Sequence, residues 1–250
     1  MKLRSQLGKI RSHLLSTMYR RPAALDDFGP VVTFTFDDFP QSALTVGAAI
    51  IESFKARATY YVSMGLMNAK NDLGPQFCGN DLHALVERGH EVALHGFDHL
   101  SARKTPVKQF IADIDRGEAT LHQFLSAGVS RNFAYPYGHA TLSAKRWLGP
   151  QMSSSRGTIG GLNGPVVDLN LLRANHLYGD INELDQARDL ISENARRSSW
   201  LIFYSHDVAQ QPSRFGCTPS LLQKTVQFAA EQGATILTVA DVVRTICPAA

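Results

Sequence analysis

Val31-Val32-Thr33-Phe34-Thr35-Phe36-Asp37-Asp38 is the stretch on which the reading of this chain turns. Six apolar, β-branched or aromatic residues in succession predict a buried β-strand. Two carboxylates at its C-terminal tip then need a reason. Neighbouring acids raise each other's pKa unless a cation or hydrogen bonds compensate, so the doublet points to one acid on a metal and one kept as a base. Working outward, the strand-like run 91–94 ends in His95-Gly96-Phe97-Asp98-His99, and the run 200–204 ends in Ser205-His206-Asp207. Three strands therefore deliver ionisable groups at their C-terminal ends, where parallel α/β folds bind ligands.

The rest of the chain keeps the same rhythm. Strand-like runs at 31–36, 58–63, 91–94, 132–135, 152–155, 172–177, 199–204 and 234–238 alternate with helical patterns near 42–55, 80–88, 106–126, 141–148, 182–196, 219–231 and 239–246. Asn80 and Thr218 stand where N-caps are expected. Seven or eight such units predict an α/β fold of barrel type, a distorted (β/α) barrel of seven or eight parallel strands, rather than an open sheet. Residues 157–164 hold four glycines in eight positions and read as a loop over the site.

Composition narrows the function classes. With 250 residues, 44% of them hydrophobic, the chain has enough apolar side chains for a full core. The net charge is only +3, and Lys2, Arg4, Lys9, Arg11, Arg20 and Arg21 all precede the first acid, Asp26, so the body is near neutral. That argues against a nucleic-acid partner, which would call for a basic face on the folded body. Leu3, Leu7, Ile10, Leu14 and Met18 recur at helical spacing. Residues 1–25 are therefore read as a basic amphipathic segment ahead of a domain at 26–250. Its helix, 3–18, would either contact an anionic membrane surface peripherally or dock on the barrel by its apolar stripe. No apolar run is long enough for a signal-peptide core or a membrane span, so the expectation is a cytoplasmic protein, with membrane association on the cytoplasmic face as an option. Cys78, Cys217 and Cys247 are scattered and odd in number, and read as reduced thiols.

One carboxylate and two imidazoles on a divalent ion leave positions open for water and substrate, the arrangement that metal-assisted hydrolysis requires. Asp38, His95 and His99 would supply it. Zinc is favoured by ligand type, and an open Asp-His-His site also suits cobalt, nickel or manganese.

Taken in order, these segments resemble the polysaccharide deacetylase family, the NodB-homology or carbohydrate esterase family 4 enzymes, over roughly residues 30–245. The resemblance implies that Asp37 is the general base, that Asp38, His95 and His99 are the metal ligands, and that His206 is the general acid. Phe133-Ala134-Tyr135-Pro136-Tyr137-Gly138 resembles the third family motif, a wall of the groove in which Pro136 and Tyr137 would border the substrate and the Tyr137 N–H would meet the oxyanion. Many members carry an arginine in this motif; the aligned residue is Ala134, which leaves Arg156 or Arg173 to supply a guanidinium from another strand. The fourth motif has only Asp180 as a candidate. Tyr204 stands where a small aliphatic residue often lines the acetyl pocket, and Phe39 where Gly or Ser is common.

The implied activity is hydrolysis of an N-acetyl group from an amino sugar in a polysaccharide, an oligosaccharide or a biosynthetic precursor, such as a lipid-linked exopolysaccharide intermediate, releasing acetate. Two other classes stay open. One is a metal-independent amide or imide hydrolase on the same barrel, and the other a non-catalytic carbohydrate-binding protein.

Overall fold

The computed structural model describes residues 13–25 and 29–247. Eight parallel strands build its main sheet: β1 (Val31–Asp38), β2 (Thr59–Val62), β3 (Glu91–Leu94), β4 (Val129–Ala134), β5 (Ser154–Arg156), β6 (Asn175–His176), β7 (Trp200–Ser205) and β8 (Thr235–Ile236). Their order across the sheet is β6-β7-β1-β2-β3-β4-β5, which is chain order taken around a circle and opened at one seam, between β5 and β6. Leu172 spans that seam by a parallel bridge to Arg156, just before the chain pairs with β7 as β6. The sheet is thus a distorted barrel. β8 pairs with Val31 and Val32, on the edge of β1 that β2 takes over from Thr35 onward.

β1 is buried along its whole length because it is covered on both sides. Val32, Phe34 and Phe36 pack into the core beneath the helices, with Leu44, Ile51, Leu82, Leu221 and Val226. Val31 belongs instead to the cluster inside the barrel with Tyr61, Ala93, Ala134, Trp200 and Ile202. The period-two alternation of a strand thereby puts odd-numbered residues of β1 inside, where Trp200 Nε1 donates to Thr33 Oγ1 at 2.9 Å.

The surrounding helices are α1 (Ala49–Ser53), which continues a π-helical turn at Ala43–Ala48, then α2 (Gly79–Glu87), α3 (Val107–Phe124), α4 (Leu142–Leu148), α5 (Leu184–Arg197), α6 (Pro219–Glu231) and α7 (Val239–Ile246). Thr218 caps α6 through the Leu221 N–H, with Pro219 at the first helical position, where a missing N–H costs nothing. Asn80 is no cap: α2 begins one residue earlier, and Asp81 accepts the Cys78 N–H. α7 packs its Val239, Val242 and Val243 into the inner cluster at the end of the barrel opposite the strand tips. There the buried Glu91 carboxylate accepts the Ala240 N–H at 2.8 Å and the Thr59 hydroxyl and Asn132 amide at 2.7 Å each.

Residues 13–25 are fastened to the second half of the barrel. Leu15 is buried and its carbonyl accepts from Lys145 Nζ at 2.7 Å, while Lys145 also pairs with Asp168 at 2.6 Å. Pro22–Ala24 then runs antiparallel to Val166–Asp168. Leu14 and Met18 of the apolar stripe are each 39% exposed. Residues 3–12 of the expected helix lie outside the described residues.

Two expectations need correction. The strand expected at 172–177 is reduced to two residues, because the chain passes there from β5 to β7 and never keeps one neighbour long enough for a continuous ladder. The glycine-rich run 157–164 does not lie over the site. It leaves the tip of β5 and descends to the base of β7, where Asn163 and Trp200 exchange backbone hydrogen bonds of 2.9 and 2.8 Å. Asn175 clamps it midway, with its Oδ1 accepting the Gly161 N–H and its Nδ2 donating to the Gly161 carbonyl.

Candidate active site

The strand tips converge at one end of the barrel. Asp37 has the inward parity of β1 and lies in register with Tyr61 and Ala93. Asp38 would face outward on a regular strand, but a φ of 64° at Asp38, followed by 68° at Phe39, breaks the pleat and turns its carboxylate toward the neighbouring strand tip. Two adjacent acids are thus given different surroundings.

Asp37 is buried against Arg156, whose Nη2 donates to Asp37 Oδ1. Arg156 is itself buried, donates Nη1 to the Gly157 carbonyl at 3.1 Å, and lies between the rings of Tyr61 and Tyr204, 4.8 and 5.1 Å from their centres. It is the register partner of Ala134. An arginine one strand over, beside an alanine that leaves it room, therefore reaches the acid. Burial alone would raise the Asp37 pKa; the Arg156 charge, with smaller fields from His95 and His206, outweighs it and holds the carboxyl below the ordinary range.

Asp38, His95 and His99 gather at the next position. His95 Nε2 and His99 Nε2 are 3.2 Å apart, and Asp38 Oδ1 is 3.3 Å from His99 Nε2 and 3.6 Å from His95 Nε2. Donors held about 2.0–2.1 Å from a tetrahedral ion stand about 3.3 Å from each other, so these three atoms match one face of such a shell. His95 Nδ1–H donates to the Ala134 carbonyl at 2.8 Å, which fixes the tautomer and leaves the Nε2 lone pair facing the cluster. Burial lowers the pKa of His95 to about 3 and that of His99 to about 4, so both rings are neutral. Burial raises Asp38 to about 6, against the field of His206 and with that of Asp37. Its Oδ1 is buried with no hydrogen-bond partner. An orphaned carboxylate oxygen beside two imidazole Nε2 atoms is a donor set that fits a divalent cation.

His206 follows β7, and its field reaches both carboxylates. Its Nδ1 lies 3.2 Å from the Phe215 carbonyl. On the other side, buried Pro136 opens the turn Pro136–Gly138, in which Tyr137 adopts φ 59° and is 61% exposed, its ring 4.5 Å from that of His99. The hydrogen bonds closing this turn run from Gly138 to Tyr135 and from His139 to Pro136. The Tyr137 N–H takes no part in them.

Other sequence candidates lie elsewhere. Arg173 is exposed and donates to the Gly160 carbonyl at 2.9 Å, so it braces the glycine-rich run and does not reach Asp37. Asp180 accepts the Asn182 N–H at 2.9 Å as a helix cap, and the partner of His206 is a main-chain carbonyl instead. Phe39 is buried in the helix-side core, stacked on Phe77 at 5.1 Å, and leaves the groove unchanged. Tyr204 packs on Arg156 and meets Tyr178 edge-on at 5.6 Å.

One residue escaped the sequence reading. Asp113 of α3 is buried and accepts the Phe97 and Asp98 N–H groups at 3.1 and 2.8 Å, holding the loop that carries both histidines. Gly117, one turn on, lets the helix approach: a Cβ there would lie 2.7 Å from the Gly96 carbonyl oxygen. The available signal was an acid on the apolar stripe of Phe110, Ile114, Gly117 and Leu121.

The barrel is similar in fold to known proteins. The fungal chitin deacetylase of Colletotrichum lindemuthianum superposes with a TM-score of 0.60 at 18% identity, covering 86% of this chain and 87% of that one. The peptidoglycan deacetylase PdaC of Bacillus subtilis gives 0.55 at 15% identity, covering 88% and 94%. A family 4 carbohydrate esterase from Streptomyces lividans gives 0.54 at 18%, covering 84% and 91%. Comparison with curated protein sequences gives no match. The family model for polysaccharide deacetylase matches residues 26–148, a span that contains Asp37, Asp38, His95, His99 and the Tyr137 turn. Residues 26–148 are therefore those of a polysaccharide deacetylase domain, and the fold around them is of the NodB-homology type.

Proposed function

We propose that the protein is a metal-dependent hydrolase that removes N-acetyl groups from an amino sugar of a polysaccharide, an oligosaccharide or a biosynthetic precursor of one. The observation that carries this reading is the division of labour at the tip of β1, where Asp37 is ion-paired with Arg156 and Asp38 faces two neutral imidazoles. Deacetylases and a carbohydrate esterase among the similar structures support the substrate class.

Asp38, His95 and His99 would hold the ion, with zinc favoured and cobalt, nickel or manganese also suited. When bound, it supplies Lewis acidity, polarising the amide carbonyl and acidifying water. Asp37, kept ionised by Arg156, takes the proton of the attacking water. The Tyr137 N–H, which takes no part in the bonds closing its own turn, donates to the oxyanion that forms on the former carbonyl oxygen. His206 gives its Nε2 proton to the departing nitrogen, so that the C–N bond breaks to acetate and a free amine. The exposed rings of Tyr137 and Phe215 stand beside His99 and His206 and offer apolar faces to a sugar.

The test is a screen of N-acetylated oligosaccharides, peptidoglycan fragments, nucleotide sugars and lipid-linked sugars for acetate release. Activity should vanish on chelation and return with zinc. Release that survives complete chelation would favour a metal-independent hydrolase, and no release from any acetylated sugar would reject the reading.

A further inference from the structure

Immediately after His206 the chain makes a loop, 207–216, whose polar groups form a relay back to the imidazole. Asp207 is buried and turns its carboxylate into the loop. Its Oδ2 accepts the Ser213 N–H at 2.8 Å, and its Oδ1 accepts the Ser213 hydroxyl at 2.5 Å. Ser213 Oγ in turn accepts the Phe215 N–H at 3.1 Å. The loop closes tightly over the acid, because a Cβ on Gly216 would collide with the Asp207 carboxylate. Cys217 N–H donates to the Asp207 carbonyl at 2.9 Å, and Gly179 N–H to the Gly216 carbonyl at 2.8 Å, tying down the base of the loop. The product of these bonds is a fixed Phe215 carbonyl, 3.2 Å from His206 Nδ1, with the Phe215 ring packed 5.7 Å from the imidazole.

A carbonyl oxygen only accepts, so this contact is a hydrogen bond only when His206 carries a proton on Nδ1. That leaves Nε2 as the nitrogen that gains and loses a proton. We propose that Asp207 and Ser213 are positioning residues that set the tautomer and orientation of His206 through the Phe215 carbonyl. They do what a carboxylate facing the ring does in a catalytic triad, at one remove and without adding a charge beside the imidazole. The inference rests on the role of His206 as proton donor proposed above.

The test is 15N NMR of the histidine side chains, with kinetics on Ser213→Ala, Ser213→Thr and Asp207→Asn. Neutral His206 in the wild type should carry its proton on Nδ1. In Ser213→Ala it should become a tautomer mixture, with kcat lowered roughly tenfold or more and KM within about twofold. Asp207→Asn, which offers one acceptor where two donors point, should shift in the same direction. Ser213→Thr keeps the hydroxyl and should restore both tautomer and kcat. A wild-type proton on Nε2 would overturn the relay, whether or not the variants fold. So would a folded Ser213→Ala that keeps both the Nδ1 proton and full kcat. The spectrum is read without substrate, so a failure of the relay shows there, while a failure of the deacetylase reading shows as absent acetate release.

Discussion

Arg156 reaches Asp37 from the strand beside the one on which the family resemblance places an arginine, at the register position of Ala134. The pair is almost wholly buried, so each charge depends on the other. Arg156→Met should cost about 3–5 kcal/mol in denaturant unfolding at neutral pH, the usual consequence of stranding one buried charge. Pairing it with Asp37→Asn should recover most of that loss.

The same pair sets a pH dependence. The folded pKa of Asp37 lies below its ordinary value, so its contribution to stability is present above the ordinary carboxylate pKa of about 3.9 and is lost as pH falls through the lowered one. In Arg156→Met the burial that opposes ionisation stays and the charge that offset it goes. Any activity that remains should therefore fall off at higher pH on acidification than in the wild type. An unshifted acid limb would separate Arg156 from the ionisation of Asp37.

Asp113 holds the histidine loop by two main-chain N–H groups. Asp113→Ala leaves two partly buried donors without their acceptor, at about 1 kcal/mol each, and should weaken metal binding by roughly 10–100-fold. Calorimetric zinc titration checks this. Unchanged affinity in a folded variant would make Asp113 a stability residue only.

The reach of the sequence follows physical lines. β1, β3 and β7 were legible because buried strands carry mostly apolar runs, and Asp37, Asp38, His95, His99 and His206 stood out as ionisable groups at or just past their C-terminal ends. Arg156 and Arg173 could not be separated, since β5 has only three residues and the chain near Arg173 is irregular, so neither shows its facing by periodicity. Asp113 was hidden because an acid in a helix reads as solvent-facing until the partner loop is known. β6 and the descent of residues 157–164 depend on contacts between distant segments, which local pattern does not encode.

The basic segment carries a separate expectation. If the substrate is lipid-linked, residues 3–18 should hold the chain at anionic vesicles, with each Lys or Arg near the surface adding about 1 kcal/mol and the binding weakening with salt. Since residues 13–25 are bonded to the barrel through Lys145 and Asp168, the comparison is with a chain beginning at residue 13. Equal, salt-insensitive partitioning of the two in co-sedimentation would reject membrane contact and favour a soluble substrate.

The two acids at the tip of β1 have separate jobs, and metal content measured beside turnover tests that division directly. Asp37→Asn should retain about one divalent ion per chain while acetate release falls roughly a hundredfold or more, the usual contribution of a positioned base. Asp38→Asn, like His95→Ala with His99→Ala, should lose the ion. Equal metal loss in Asp37→Asn and Asp38→Asn, or wild-type turnover in metal-saturated Asp37→Asn, would overturn that division.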